Sequence, residues 1–221
     1  MAISRFPLRL LFRVAAVLLL AALSLFALAS WSIAAYPGPV QAQLRATQHI
    51  AQAPFATRIV LGDSRVAMAE SDGETLLIGF DGATFPQLER LIGLVCNVSG
   101  APMTIALGVN DTIPALRDVQ STMASARRSI ETCGAERVSI AGIWDPEPAI
   151  GPLGGYYDTA TLAILNSQLE KLAMDSGAAF LPAPQGITGH TFDGVHFTRD
   201  ISGEYIAHLT GKGAQEELAA Q

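Results

Sequence analysis

The chain has 221 residues, of which 50% are hydrophobic and only 15% are charged. Because about a quarter of the residues in an average soluble domain are charged, we expect part of this chain to lie in a non-aqueous environment. With 14 Lys and Arg against 20 Asp and Glu, the formal net charge is −6, which argues against a protein that binds nucleic acid. The length suits one domain with a full hydrophobic core.

The first 35 residues form a predicted membrane-targeting segment. Residues 1–13 carry three arginines and no acid, and residues 14–35 carry no charge. As a helix, the uncharged stretch would span about 33 Å, enough to cross a hydrocarbon core of about 30 Å. The arginines predict that the rest of the chain lies outside the cytoplasm. The expected location is the inner membrane of a bacterium, with the domain facing the periplasm or the exterior. Small residues before Ala29 and Ala42 also allow cleavage of a signal peptide, which would leave a periplasmic or secreted protein.

Residues 36–55 predict a tether, because they combine three prolines with several glutamines and alanines. Over residues 56–221, short apolar runs alternate with helical patterns, the clearest being Ile113–Thr132 and Thr159–Ser176, with a last one after Asp200. This alternation predicts a three-layer α/β/α sandwich around a five-stranded parallel sheet. The predicted strands are Thr57–Leu61, Thr75–Phe80, Met103–Leu107, Val138–Ile143 and Ala178–Leu181.

Cys96 and Cys133 are the only cysteines, and an exported domain would allow them to form a disulfide. Cys96 follows the helix predicted after the second strand, and Cys133 ends the helix after the third. Both are therefore expected at the edge of the sheet where the strands begin. Two free buried thiols are the alternative. Neither cysteine has a histidine or a second cysteine at metal-ligand spacing, so we expect no metal site.

Glycines and polar residues follow the strands at the edge where α/β proteins form their sites. They form four stretches, Gly62-Asp63-Ser64, Asp81-Gly82-Ala83-Thr84, Gly108-Val109-Asn110-Asp111 and Asp193-Gly194-Val195-His196. In this order, the four stretches resemble the sequence blocks of the SGNH, or GDSL-type, hydrolase superfamily. The resemblance covers residues 57–210 and implies a flavodoxin-like fold and hydrolysis of ester bonds without metal or organic cofactor.

The resemblance implies that Ser64, His196 and Asp193 form a catalytic triad. A serine hydroxyl needs a base to become a nucleophile, and a carboxylate three residues before a histidine can orient the imidazole. The resemblance also places an oxyanion hole at the N–H groups of Ser64 and Gly82 and the side-chain amide of Asn110. Each residue alone would also suit a helix cap or a turn, but the ordered set favours the catalytic interpretation.

Three further residues are candidates for substrate binding. Arg65 stands where many members of the superfamily have an apolar residue, and it could pair with Asp63 or another acid, or face a substrate. Trp144 and Tyr156 flank a stretch rich in proline and glycine, residues 145–155. One interpretation of this stretch is a substrate-binding rim, whose aromatic faces would suit sugar rings. The alternative is a packed surface loop.

The predicted function is a serine esterase that hydrolyses oxygen esters through an acyl-serine intermediate, with acetyl groups on a glycan as one candidate substrate. Two alternatives stay open. An O-acyltransferase would use the same triad to pass the acyl group to a sugar hydroxyl, and a non-catalytic module of the same fold would serve envelope polysaccharide assembly. The expected partners are the ester substrate and, through the N-terminal segment, the membrane.

Overall fold

The computed structural model describes residues 39–211 and, before them, residues 14, 16–21, 23 and 24. The predicted targeting segment, residues 1–35, lies for the most part outside the described residues. Among the residues that are described, no helix combines the length and the hydropathy needed to cross a membrane.

Five parallel strands form the sheet, as the sequence predicted, and each begins and ends within two residues of its predicted apolar run. The strands are β1 (Arg58–Gly62), β2 (Thr75–Gly79), β3 (Met103–Ala106), β4 (Val138–Ala141) and β5 (Ala179–Leu181). Their order across the sheet is β2-β1-β3-β4-β5, which is the flavodoxin-like order. All five carboxyl ends therefore lie at one edge of the sheet.

Helices cover both faces of the sheet. They are α1 (Val40–Gln52), α2 (Ser64–Ala67), α3 (Phe85–Val98), α4 (Val119–Cys133), α5 (Thr159–Ser176) and α6 (Arg199–Thr210). Alternate residues of β1 belong to different cores, because successive side chains of a strand point to opposite faces. Ile59 and Leu61 pack in the larger core with α3, α4 and α5, whereas Val60 packs in the smaller core with α6. The sheet is thus the middle of three layers, which confirms the predicted sandwich.

The predicted tether is wrong for most of its length, because Val40–Gln52 forms a helix. Ala46 on this helix is fully buried and belongs to the larger core. The prolines that suggested a tether flank the helix, with Pro39 as its N-cap and Pro54 in the 3₁₀ turn that follows. Proline is tolerated at both places because neither requires its missing N–H in a helical hydrogen bond. The packed domain therefore begins near residue 40, not residue 56.

The helix predicted from Ile113 begins six residues later, at Val119. Asp118 ends the preceding loop, and its carboxylate accepts a hydrogen bond from the Ser121 N–H at 3.0 Å. An aspartate in this position is a strong N-cap. Apolar residues at helical spacing before Asp118 led to a predicted start that is too early. The Asp118 cap places these residues in the loop before the helix.

A disulfide joins Cys96 and Cys133, whose Cα atoms are 5.1 Å apart. Cys96 lies in the last turn of α3 and not after it, and Cys133 is the last residue of α4. Because these helix ends lead into β3 and β4, the bond lies at the edge of the sheet where the strands begin, opposite to the carboxyl ends.

Candidate active site

Ser64 is presented by a tightly packed turn between β1 and α2. The Asp63 carboxylate caps this short helix by accepting a hydrogen bond from the Arg65 N–H at 2.9 Å. Burial raises the pKa of Asp63, against the lowering effects of the Arg65 charge and N–H. At Gly62, an added Cβ would come within 2.6 Å of the Ala106 carbonyl oxygen, so only glycine fits there. The hydroxyl of Ser64 is therefore held at the carboxyl end of β1.

The loop before α6 brings His196 to this serine. His196 Nε2 lies 2.9 Å from Ser64 Oγ, and His196 Nδ1 lies 2.6 Å from Asp193 Oδ2. The other oxygen of Asp193 accepts hydrogen bonds from the N–H groups of Val195 and His196, at 3.0 and 2.8 Å. Burial acts to raise the pKa of Asp193, but the hydrogen bonds from His196 and Val195 outweigh it and lower the pKa. The three side chains form a carboxylate–imidazole–hydroxyl relay.

The residues predicted as oxyanion donors follow the neighbouring strands β1, β2 and β3. Gly82 has a φ of 68°, a left-handed conformation that favours glycine. The buried Asn110 amide donates one hydrogen bond to the Ala83 carbonyl at 3.0 Å, which ties the loops after β2 and β3 together and leaves its second N–H for a ligand. Within the described part of the chain, the backbone N–H groups of Ser64 and Gly82 donate to no other residue.

Asp111 fixes the loop that carries Asn110. Its buried carboxylate accepts a hydrogen bond from the Thr122 hydroxyl at 2.7 Å and is 3.3 Å from the Phe85 N–H. One side chain thus connects the loop after β3 to the starts of α3 and α4. Burial raises the pKa of Asp111 to about 6, although the hydrogen bonds from Thr122 and Phe85 oppose the shift.

Arg65 connects the turn of the serine to the loop of the histidine. Only 3% exposed, it donates from Nε to the Val195 carbonyl at 2.9 Å and from Nη1 to the Trp144 carbonyl at 2.8 Å. Its guanidinium carbon also lies 4.7 Å from the centre of the Phe197 ring. The guanidinium binds two backbone carbonyls in place of the Asp63 carboxylate, so Arg65 braces the site. It also lines the cavity beside His196, and its role in substrate binding stays a prediction.

Trp144 belongs to the smaller core, which corrects its prediction as a substrate-binding residue. It is 5% exposed, and its ring packs edge-on against Phe197 and Tyr205, with centroids 5.2 and 5.3 Å away. The nearby His190 is also buried, and its Nε2 lies 2.9 Å from the Asp145 carbonyl oxygen. After β4 the chain therefore turns inward, and these rings pack under the site.

The stretch of residues 145–155 packs against the loop that carries Asp193, as the packed-loop alternative predicted. The Glu147 N–H donates to the Gly194 carbonyl at 2.7 Å, and the Leu153 N–H donates to the Asp193 carbonyl at 3.1 Å. The two segments are in backbone contact, so this stretch supports the carboxylate of the relay from behind.

Glu147 is a structural residue of the site that no sequence pattern indicated. Its carboxylate accepts hydrogen bonds from the N–H and the hydroxyl of Thr191, at 2.7 and 2.6 Å, and from the Gly189 N–H. Burial acts to raise the pKa of Glu147, but these hydrogen bonds lower it overall. The residue holds the segment that leads to Asp193. Its partners are mainly backbone groups, which have no signature in residue type.

Two tyrosines lie at the end of the same stretch. Tyr156 is 63% exposed, so it is available to a substrate, and its role in binding stays a prediction. Tyr157 is half-buried, and burial raises its pKa; the Arg65 charge opposes this shift, whereas the charges of Asp63 and Asp193 add to it. The Tyr157 hydroxyl is therefore within electrostatic range of the relay.

A cavity of about 510 Å³ opens beside His196. Met68 and Phe192 contribute apolar surface, and the ring of Phe192 stacks on the imidazole of His196 with centroids 6.0 Å apart and planes at 25°. The charged groups that line the cavity include Glu70, Arg199 and Asp200, and Glu70 accepts a hydrogen bond from Arg199 at 2.8 Å.

No protein-family model matches the chain, and the comparison with curated proteins finds no match either. Solved structures do match. A GDSL-like lipase from Bacteroides thetaiotaomicron has a TM-score of 0.63 at 19% identity, over 80% of this chain and 98% of its own. A lipase/acylhydrolase from Enterococcus faecalis has a TM-score of 0.59 at 16% identity, over 71% and 94%. A carbohydrate acetylesterase from Sinorhizobium meliloti has a TM-score of 0.56 at 15% identity, over 75% and 100%. The described residues thus have the fold of the SGNH/GDSL hydrolases.

Proposed function

We propose that the protein is a serine esterase of the SGNH type. The observation that carries this proposal is the relay in which Asp193 contacts His196 at 2.6 Å and His196 contacts Ser64 at 2.9 Å. These distances are within the reach that proton transfer between a nucleophile and its base requires. The solved structures that share the fold support the proposal, because their names describe lipases, acylhydrolases and acetylesterases.

The relay suits a two-step acyl transfer. His196 Nε2 takes the proton of Ser64 Oγ as this oxygen attacks the ester carbonyl carbon, and Asp193 stabilises the imidazolium. The carbonyl oxygen becomes an oxyanion that accepts hydrogen bonds from Ser64, Gly82 and Asn110. His196 then gives its proton to the departing alcohol, which leaves an acyl-serine. A water molecule, deprotonated by His196, hydrolyses this intermediate and restores the serine.

An acetyl group on a carbohydrate is the substrate that we favour. One of the structural neighbours is named a carbohydrate acetylesterase, which supports this class. The wide, partly charged cavity beside His196 also suits a polar alcohol.

Hydrolysis of 4-nitrophenyl acetate by the full chain, beside the Ser64→Ala variant, tests the proposal. We expect turnover and labelling of Ser64 by a fluorophosphonate, and loss of both in the variant. Ser167→Ala, which removes an exposed hydroxyl on α5, is the matched control and should keep full activity. Absence of turnover and of labelling in the unmodified protein would instead favour the non-catalytic module.

Adding a sugar acceptor to the same assay separates hydrolysis from transfer. We expect acetate as the product whether or not the acceptor is present. Acetylated acceptor that forms in a manner dependent on Ser64 would assign the O-acyltransferase alternative.

We also propose that the domain works outside the cytoplasm, held at the inner membrane by residues 14–35 or released by cleavage. The three arginines before an uncharged stretch support this placement, and so does the Cys96–Cys133 bond, since disulfides persist mainly in oxidising compartments. Protease treatment of intact bacterial spheroplasts that express the chain should degrade the domain if it is anchored outside. Recovery of the intact domain only from the cytoplasm would contradict the proposal.

A further inference from the structure

We infer that the cavity beside His196 binds the alcohol part of the ester and that Phe192 makes it selective for an alcohol carried on a sugar ring. This inference rests on the proposed esterase function and assigns a substrate position to groups outside the relay.

The position of the cavity determines which part of the ester it receives. In ester cleavage the carbonyl oxygen lies at the oxyanion donors, whereas the alcohol oxygen leaves with a proton from the general acid. The cavity is lined by His196 but not by Ser64, Gly82 or Asn110. A group that extends from the imidazole into this cavity therefore extends away from the acyl carbonyl, as the alcohol does.

Phe192 gives the cavity a flat apolar surface. Its side chain is 56% exposed. The ring stacks nearly parallel to the imidazole of His196. An alcohol bound against His196 would therefore continue onto the face of this ring. The C–H face of a sugar ring is flat and weakly apolar, so it matches an exposed aromatic face.

The rest of the lining suits the hydroxyl groups of a sugar better than an alkyl chain. Glu70 and Asp200 offer carboxylate acceptors, and Arg199 offers guanidinium donors. An alkyl chain would form no hydrogen bond with these exposed charged groups, whereas the hydroxyl groups of a sugar can form such bonds.

The test keeps the acyl group constant and varies the alcohol. The ratio of kcat/KM for a mono-O-acetylated methyl xyloside over kcat/KM for ethyl acetate is measured with the full chain. We expect a ratio above one, and a decrease of about tenfold in the Phe192→Ala variant, mainly through KM. Phe192→Tyr keeps the ring and should keep the ratio. Phe55→Ala removes an 87% exposed ring at the opposite edge of the sheet and should leave the ratio unchanged.

Two outcomes would overturn the inference. If Phe192→Ala changed the preference between ethyl acetate and ethyl butyrate instead, the cavity would take the acyl group. If both acetates lost activity equally, the ring would only support His196.

Binding provides a readout that does not depend on turnover. Calorimetric titration of the Ser64→Ala variant with methyl xyloside should show weaker affinity when Phe192→Ala is added. Failure of the proposed function would appear differently, as an absence of fluorophosphonate labelling at Ser64 in the unmodified chain.

Discussion

Three consecutive residues, Asp63, Ser64 and Arg65, have separate roles at the carboxyl end of β1. The aspartate caps α2, the serine contacts His196, and the arginine donates to the carbonyls of Val195 and Trp144. The serine and the loop of its base are thus held together by a side chain next to the serine itself. The position of the base depends on contacts that are not part of the relay.

Replacement of Arg65 by methionine tests this dependence. The change removes two hydrogen bonds to the carbonyls of Val195 and Trp144, so the His196 loop can shift relative to Ser64. A displacement of about 1 Å can cost on the order of 100-fold in rate, and we expect kcat to fall about 10- to 100-fold with KM little changed. The rate of fluorophosphonate labelling should fall in parallel.

Two further variants distinguish positioning from a loss of folding. Arg65→Lys can still donate to one carbonyl and should recover part of kcat. Arg128→Met removes an exposed ion pair with Glu89 and should leave kcat unchanged. An increase of KM at constant kcat in Arg65→Met would contradict the positioning role and indicate contact with substrate.

The buried carboxyl of Asp111 predicts a dependence of stability on pH. Because its pKa is about 6 in the folded protein and 3.8 for the ordinary group, the folded state binds this proton more tightly than the unfolded state. Its contribution to the free energy of unfolding is thus fully present below about pH 4 and is lost as the pH rises through about 6, by up to about 3 kcal/mol. Asp111→Asn, which keeps an acceptor oxygen, should lack this loss.

Urea unfolding at several pH values between about 4 and 7 measures the effect. The stability of Asp111→Asn relative to the unmodified protein should increase with pH over this interval. Thr122→Val keeps the carboxyl but removes a donor to it, so the decline with pH should persist in that variant. Parallel curves for the unmodified protein and Asp111→Asn would contradict the prediction.

At the scale of elements, α1 is an integral part of the domain. Ala46 is fully buried, whereas Leu44 on the same helix is exposed. Ala46→Asp would place a charge in the core, and we expect it to lower the free energy of unfolding by about 2 to 4 kcal/mol. Leu44→Asp should change it by less than about 0.5 kcal/mol. Chemical denaturation of both variants measures the difference, and a true tether would show no difference between them.

Most of the strands could be predicted from the sequence because a strand buried on both faces is largely apolar, as β1 and β3 are. The edge strand β5 is less buried, and its short apolar run marked it. The two mistakes on helices have local causes. In α1 the flanking Pro39 and Pro54 suggested a tether, and only the tertiary contact of Ala46 shows otherwise. In α4 the apolar spacing ran past the Asp118 cap. Tertiary packing therefore decided the first case, and a local N-cap decided the second.

The parts of the candidate site that depend on distinctive side chains could be predicted from the sequence. The parts that depend on contacts with backbone groups could not. Ser64, Asn110 and His196 are distinctive side chains at the ends of strands or in a short motif, and the parallel sheet brings such ends to one edge. The contacts of Arg65 and Glu147 are mainly with backbone groups of distant loops. Backbone groups are the same in every residue, so no pattern could indicate these two roles.

For the whole molecule, the disulfide stabilises the edge of the sheet that lies opposite to the site. It closes a loop between residues 37 positions apart. For a loop of this length, we expect the bond to raise the free energy of unfolding by about 2 to 4 kcal/mol. The double variant Cys96→Ser and Cys133→Ser should lose this amount in urea unfolding while retaining kcat. Reductant should destabilise the unmodified protein to the same extent and leave the double variant unaffected. Equal stability of the two proteins without reductant would contradict the prediction.

The separation of 132 residues between Ser64 and His196 has a consequence for biosynthesis. During translation the nucleophile emerges long before its base, and until then its hydroxyl has the low reactivity of an ordinary alcohol. The carbonyls that Arg65 binds also belong to later parts of the chain. Under the proposed function, a growing chain would acquire esterase chemistry only after the sheet is complete, so incomplete chains would be inert towards esters in the cell.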